Sequence, residues 1–234
     1  MANTASADDA PTVTAGDIPQ REFGQTGEML SVIGPGGARF RMTTWEQATA
    51  IVQRCYDLGI NYYDCSHNYW KGRSEEVYGA VLPPHRKEVF ITTKCDERTR
   101  EGAEAELEAG LRSMKTDYVD LWQLHKVGNT DDDLDTIFAP GGAMEALVAA
   151  KKAGKCRFIG FTVHGDPNTV VELLRITDEW DATLIPLNPA DPSYLSFEKI
   201  ALPAVVEHGL GVQVMKSLGN GGLLSTMTAR ECID

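Results

Sequence analysis

Three apolar runs end in a residue that can carry charge or exchange a proton, at nearly equal intervals. Residues 59–64 (GINYYD) end in Asp64, residues 88–94 (EVFITTK) in Lys94, and residues 118–125 (YVDLWQLH) in His125. The steps between them are 30 and 31 residues, about the length of one strand–helix unit. Parallel strands joined by helices bring their C-terminal ends to one rim, and that rim is where a β/α barrel carries its chemistry. Asp64, Lys94 and His125 are therefore expected in one site. Tyr69, five residues after Asp64, is expected in the loop above it.

These four types suit proton transfer to an oxygen. A free phenol has a pKa of about 10, too high to exchange protons readily near neutrality. A neighbouring ammonium favours the phenolate, and Lys94 is placed to supply one. A carboxylate beside that lysine would keep its charge, which Asp64 fits. His125 could donate a hydrogen bond to a substrate oxygen. Together the four could polarise a carbonyl and protonate it as a hydride arrives. Taken singly, each has a plainer reading: Asp64 as a helix cap, Lys94 as a solvated cation, His125 as a hydrogen-bonded histidine near a core, Tyr69 as a packing residue. No serine or cysteine nucleophile pairs with the histidine, and one His with one Asp is too few ligands for a catalytic zinc.

The elements that would position these residues alternate steadily. Residues 30–33 read as a first strand, followed by the turn GPGG at 34–37. Gly36 and Gly37 there could serve only the turn, or could let backbone approach a cofactor. Thr43 and Glu46 have capping-box spacing, and Ile51, Val52, Cys55 and Tyr56 recur at helical spacing. A second helix covers 73–82, with Glu75 and Glu76 in the first turn, where acids suit the dipole. Leu107, Leu111 and Met114 mark a third. Met144, Leu147 and Val148 start a fourth, which ends at Gly154. Strands follow at 158–162, 183–188 and 212–216, and helices include 170–174 and 203–208. Gly219, Gly221 and Gly222 form either a plain loop or a phosphate-binding one. Residues 129–142 are long for a connection, and long loops on that rim are often functional. Cys65 and Cys95 should point to the far side of their strands. Alternation of this kind predicts parallel strands with helical crossovers.

With 234 residues and 42% hydrophobic residues, the chain can bury a sizeable core. Its formal net charge of −12 repels phosphate backbones and argues against nucleic acid as a partner. No stretch approaches 18 consecutive apolar residues, which argues against a membrane span. No basic segment followed by an apolar one opens the sequence. The five cysteines (55, 65, 95, 156 and 232) show no CxxC or zinc spacing and fit reduced thiols, hence a cytoplasmic location. Residues 1–20 are small, polar and Pro-containing and are expected to form a flexible tail, with one barrel domain over 21–234.

At this point the chain resembles the aldo-keto reductase superfamily, NAD(P)H-dependent carbonyl reductases on a β/α barrel, from about Arg21 onward. The family's Asp-x-x-x-x-Tyr motif is matched by Asp64-Cys65-Ser66-His67-Asn68-Tyr69, followed by Gly72-Arg73-Ser74-Glu75-Glu76. Its lysine is matched by Lys94 within ITTK, and its histidine by His125 within DYVDLWQLH. Residues 154–162 (GKCRFIGFT) and 214–222 (VMKSLGNGG) are also similar. The resemblance implies a catalytic tetrad of Asp64, Tyr69, Lys94 and His125, with the tyrosine as acid/base. It implies NADPH as cofactor, with NADH possible, and a small aldehyde or ketone as substrate. Cofactor contacts carry over to Gly36, Gly37, Asp64, Thr162, Met215, Lys216, Leu218 and Gly219, with Met215 stacking on the nicotinamide and Lys216, Leu218 and Gly219 near the pyrophosphate. Two positions depart from the family: Thr162-Val163 stands where Ser-Asn is frequent, and Leu184 or Ile185 where a glutamine is usual.

The fold class expected is thus a TIM-type (β/α)8 barrel lacking its eighth strand–helix unit, since the readable strands number seven. Thr228 and Glu231 have capping-box spacing, as though a further helix starts there. That expectation carries a chain of reduced stability, prone to self-association through unpaired edges. Two rival readings remain at this level: a non-catalytic, nucleotide-sensing or partner-binding member of the fold, and an inactive fragment. The substrate's identity and the oligomeric state are left open.

Overall fold

The computed structural model describes residues 14, 16–128, 130, 133–228, 230 and 231. The tail expected over 1–20 falls largely outside these residues, as do Ala229, Cys232, Ile233 and Asp234. A short hairpin, β1 (Gln20–Glu22) and β2 (Met29–Ser31), is followed by six parallel strands: β3 (Tyr62–Asp64), β4 (Phe90–Cys95), β5 (Val119–Leu124), β6 (Cys156–Thr162), β7 (Ala182–Pro186) and β8 (Gly211–Met215). They form one sheet in sequential order. Helices α1 (Trp45–Asp57), α2 (Arg73–Val81), α3 (Arg100–Met114), α4 (Asp133–Phe138), α5 (Ala143–Lys152), α6 (Pro167–Ile176) and α7 (Leu202–Glu207) lie between them. The result is a barrel-like β/α fold.

Six parallel strands, rather than seven, are formed among the described residues, because the expected first strand divides. Leu30 and Ser31 pair antiparallel with the hairpin instead. Only one bridge, Gly36 to Asp64, continues beside β3, with the Asp64 amide donating to the Pro35 carbonyl at 3.1 Å. The cause is local: Pro35 has no N–H to give a ladder, and Gly34 is pressed against the Tyr62 ring, where an added Cβ would approach within 2.3 Å. The α1 cap also sits one residue later than expected. Thr44 and Gln47 exchange the reciprocal bonds (3.2 and 3.0 Å), because Thr43 already closes the preceding turn through its amide and hydroxyl on the Phe40 carbonyl (2.9 and 2.8 Å). Ala48 and Val52, not Ile51, form the buried face of α1.

Strand alternation divides the core into two. One face of β4 and β5 gives Ile91, Cys95, Trp122 and Leu124 to the layer beneath the helices, where Leu107, Leu111, Met114 and Leu147 meet them. The other face gives Phe90 and Leu121 to the barrel interior, which Phe23 and Leu30 of the hairpin segment close from below. Going up from that apolar floor, the interior turns polar. Gln123 Nε2 donates to the Thr92 hydroxyl (3.3 Å) and to Gln213 Oε1 (3.2 Å). Lys94 and His125 lie above them, so the sheet itself delivers ionisable groups to one rim.

The long connection over 129–142 contains α4; Asn129, Asp131 and Asp132 lie outside the described residues. The reciprocal cap at Thr228 and Glu231 forms, at 2.8 and 3.3 Å.

Candidate active site

Asp64 ends β3, Lys94 lies near the end of β4, and His125 follows β5. Lys94 is fully buried, and its ammonium donates to Asp64 Oδ1 and to the Cys65 carbonyl, both at 2.5 Å. The Thr92 hydroxyl also donates to Asp64 Oδ1, at 3.1 Å. Burial opposes the Lys94 charge most strongly, but Asp64 and Tyr69 together outweigh it and hold the pKa above the ordinary lysine value.

Tyr69 opens a short turn, Tyr69–Gly72, in which Trp70, Lys71 and Gly72 all take left-handed φ values of 51°, 57° and 85°. The first two carry side chains, so this turn is strained. The Lys94 ammonium lies 5.2 Å from the centre of the Tyr69 ring. Burial raises the phenol above its ordinary pKa; Lys94 pulls it back, and the Asp64 charge raises it again. This corrects the expectation of a lowered phenol. Lys94 acts in the foreseen direction, but desolvation is larger.

His125 is buried with its ring edge-on to Tyr69, centroids 5.7 Å apart. Its Nδ1 faces Asp96 at 3.1 Å. An ionised carboxylate only accepts, so Nδ1 carries the hydrogen. Nε2 is buried and without a partner among the described residues. It is a bare acceptor while the ring is neutral and a donor once protonated. Burial lowers the His125 pKa despite Asp96. The expectation that His125 donates therefore holds only for the protonated ring.

Two further supports were not foreseen. The buried Glu75, expected only to complement the helix dipole, accepts from His67 Nδ1 (2.9 Å) and from the Thr93 hydroxyl (2.6 Å), and so pins the loop between Asp64 and Tyr69 to α2. Arg98 donates to the His125 carbonyl (2.7 Å) and pairs with Asp133 at the start of α4, which also accepts from the Gly128 amide (2.7 Å). No local pattern marks either tie, because the partners come from different units.

A cleft of about 1000 Å³ opens beside Asp64 and Tyr69, while Lys94 and His125 are buried behind its lining. Gly36, Asp64, Tyr69, Met215 and Lys216 line it. A Cβ at Gly36 would meet nothing within 4 Å, which leaves backbone open to a ligand there. Gly37, in contrast, packs: an added Cβ would come within 2.3 Å of Ser74 Oγ. Thr162 is buried, its hydroxyl accepting from the Lys126 amide at 2.7 Å. Leu218 and Gly219 precede Asn220, which lines the cleft where they do not. Of the two candidates on β7, Leu184 faces the cleft and Ile185 the core.

The strand-end spacing does not mark His164, which stands two residues after the strand run 158–162, where His125 directly follows β5. His164 lines the cleft, edge-on to His125 at 5.8 Å, and its Nδ1 lies 3.4 Å from the Lys216 ammonium. That ammonium can only donate, so Nδ1 accepts and Nε2 carries the hydrogen. Burial, then Lys216, pushes the His164 pKa down to about 3, so the ring is neutral.

Residues 32–232 match the family model described as Aldo/keto reductase family. The chain is 31% identical over 159 residues to L-galactose dehydrogenase of Arabidopsis thaliana, across 62% of this chain and 48% of that protein. It is 29% identical over 199 residues to L-glyceraldehyde 3-phosphate reductase of Escherichia coli (strain K12), across 76% of this chain and 54% of that protein. The chain spans about half the length of these curated relatives. Among solved structures, the holo form of an aldo-keto reductase from Bacillus halodurans matches with a TM-score of 0.74 at 27% identity, over 90% of this chain and 70% of that one.

Proposed function

The chain belongs to the aldo/keto reductase family, and on that premise we propose that it reduces an aldehyde or ketone to the alcohol with NADPH, Tyr69 supplying the proton. The observation that carries this reading is the ion pair of buried Lys94 with Asp64, which lines the cleft beside Tyr69. A raised phenol suits an acid, because it holds its proton until negative charge develops on the carbonyl oxygen. As that proton leaves, the phenolate forms beside the Lys94 ammonium, which favours it. Asp64 keeps Lys94 charged and in place. The unpartnered His125 Nε2 is a polar contact for the substrate, accepting from a hydroxyl when neutral and donating to an oxygen when protonated.

The donor set fits a nicotinamide dinucleotide. Met215 offers a soft, polarisable face for a ring, Lys216 a charge for phosphate, and Gly36 open backbone. When bound, that cofactor supplies the hydride. Preference for NADPH over NADH rests on the family resemblance alone. The deciding experiment is NADPH-dependent reduction of small carbonyls by the chain and by Tyr69→Phe. The variant should still bind NADPH while turnover falls by a factor of about 10² or more, the scale of positioned proton transfer. Near-parental turnover would remove Tyr69 from the chemistry.

A further inference from the structure

We propose that the carbonyl compound taken by this site is an anion, whose carboxylate or phosphate group is held by Arg39, Arg41 and Lys71. The inference rests on the carbonyl-reductase reading above. It starts from charge. The chain carries 34 acidic and 22 basic residues, yet the cleft inverts that balance. Arg39, Arg41, Lys71, Arg73, Lys126 and Lys216 line it, against Asp64 as the carboxylate among the described lining residues. Asp64 is moreover already committed to Lys94.

The three cations sit on turns next to Tyr69, not on the turn after β8 that carries Lys216 and Asn220. Arg39 and Arg41 sit on the turn Gly37–Met42 and Lys71 on the turn Tyr69–Gly72. These turns pack on each other, and the Ser74 hydroxyl at the start of α2 ties the first to the second by donating to the Gly37 carbonyl at 2.9 Å. The wall they form flanks Tyr69, the group placed at the reacting oxygen. Met215, Lys216 and Asn220, which line the same cleft, belong instead to β8 and the turn after it.

Arg39, Arg41 and Lys71 are exposed, and among the described residues none has a carboxylate within 4.0 Å. Arg73 differs. Its guanidinium lies over Trp70 at 4.5 Å and near Glu76, which anchors the turn rather than offering a free charge. The left-handed backbone of Lys71, with its amide bonded to the Asn68 carbonyl at 3.3 Å, fixes where its side chain leaves the turn. Unpaired cations at the mouth of a cleft raise the local concentration of an anionic ligand, by about 10-fold or more at low ionic strength.

The test compares matched carbonyls that differ in charge: 4-carboxybenzaldehyde with 4-methylbenzaldehyde, and glycolaldehyde phosphate with glycolaldehyde. With NADPH, kcat/KM should favour the anion by about 10-fold or more in at least one pair, and the gap should shrink as NaCl is raised. The pair showing the gap tells carboxylate from phosphate. In Arg41→Gln/Lys71→Gln the ratio of anion to neutral should fall towards one. Equal kcat/KM within both pairs would overturn the proposal. So would an NADPH Kd that rises in the double variant as much as the anion's kcat/KM falls, since the cations would then serve the cofactor. Calorimetric titration of the NADPH complex with the same four compounds gives a reading independent of turnover. Saturable binding of an anion alone, weakened in the double variant, supports the charge wall even if no carbonyl is reduced. Equal binding or none overturns it. Absence of reduction with all four carbonyls counts instead against the reductase reading.

Discussion

His125 and Asp96 show how a single contact decides what a side chain can do. The Asp96 carboxylate claims the Nδ1 hydrogen and leaves Nε2 bare in the neutral ring. The His125 pKa lies below the ordinary 6.5 because burial disfavours its charge. Between 6.5 and the folded value, the unfolded chain binds more protons than the folded one. The stability due to neutral His125 is therefore complete above about pH 6.5 and is lost as pH falls. An NMR titration should place the His125 midpoint below 6.5. Asp96→Asn should move it lower still, because the carboxylate that favours the imidazolium is gone; an upward shift would contradict the pairing. Sequence spacing singled out Asp64, Lys94 and His125 as candidates because each stands at or next to a strand end, and Tyr69 because it follows Asp64 by five residues. It did not identify Asp96, whose role depends on which ring nitrogen it meets. Nor did it give the direction of the Tyr69 shift, which depends on burial as much as on Lys94.

At the scale of elements, α2 does more than cross over between β3 and β4. Its Glu75 reaches into the loop before Tyr69, and Gly110 of α3 leaves room for that carboxylate: a Cβ there would come within 2.8 Å of it. The hydrogen bond to Glu75 raises the His67 pKa above 6.5. That contribution is complete below about pH 6.5 and is lost as pH rises through the folded value, opposite in sign to His125. Glu75→Gln should return the His67 midpoint towards 6.5 and lower stability by about 1–3 kcal/mol, the scale of a disturbed buried hydrogen bond. Urea unfolding with NMR titration checks both; an unmoved His67 would show the contact to be idle. Helices and parallel strands were legible because apolar periodicity records burial directly. The first strand and the α1 cap were misplaced because each depends on competition: Thr43 was already engaged by Phe40, and residues 30–31 had a better partner in the hairpin.

At the scale of the whole molecule, an acidic chain folds around a basic cleft. Net charge gave no hint of this, since it sums over the sequence and not over a surface. The four chemical groups span 62 residues of sequence, from Asp64 to His125. They meet because three successive parallel strands end side by side. The barrel-like architecture was therefore readable from the same spacing that singled out the candidate site. The closing of its floor was not, because the hairpin and β8 meet only in three dimensions.

That closure has a consequence in time. The Phe23 ring fills the space a side chain at Gly211 would need, within 2.5 Å of an added Cβ, and the Gln25 amide donates to the Gly209 carbonyl at 2.9 Å. These partners are separated by most of the chain, 188 positions from Phe23 to Gly211. At ribosomal speeds of about 5–20 residues per second, roughly 10–40 s pass between synthesis of the plug and of its seat. The hairpin must wait, exposed, while the intervening units are made. Such distant contacts also form slowly in refolding. In pulse-labelled hydrogen exchange the Gln25 amide should gain protection after those of β4 and β5; earlier protection would mean that the plug docks on something other than its final seat.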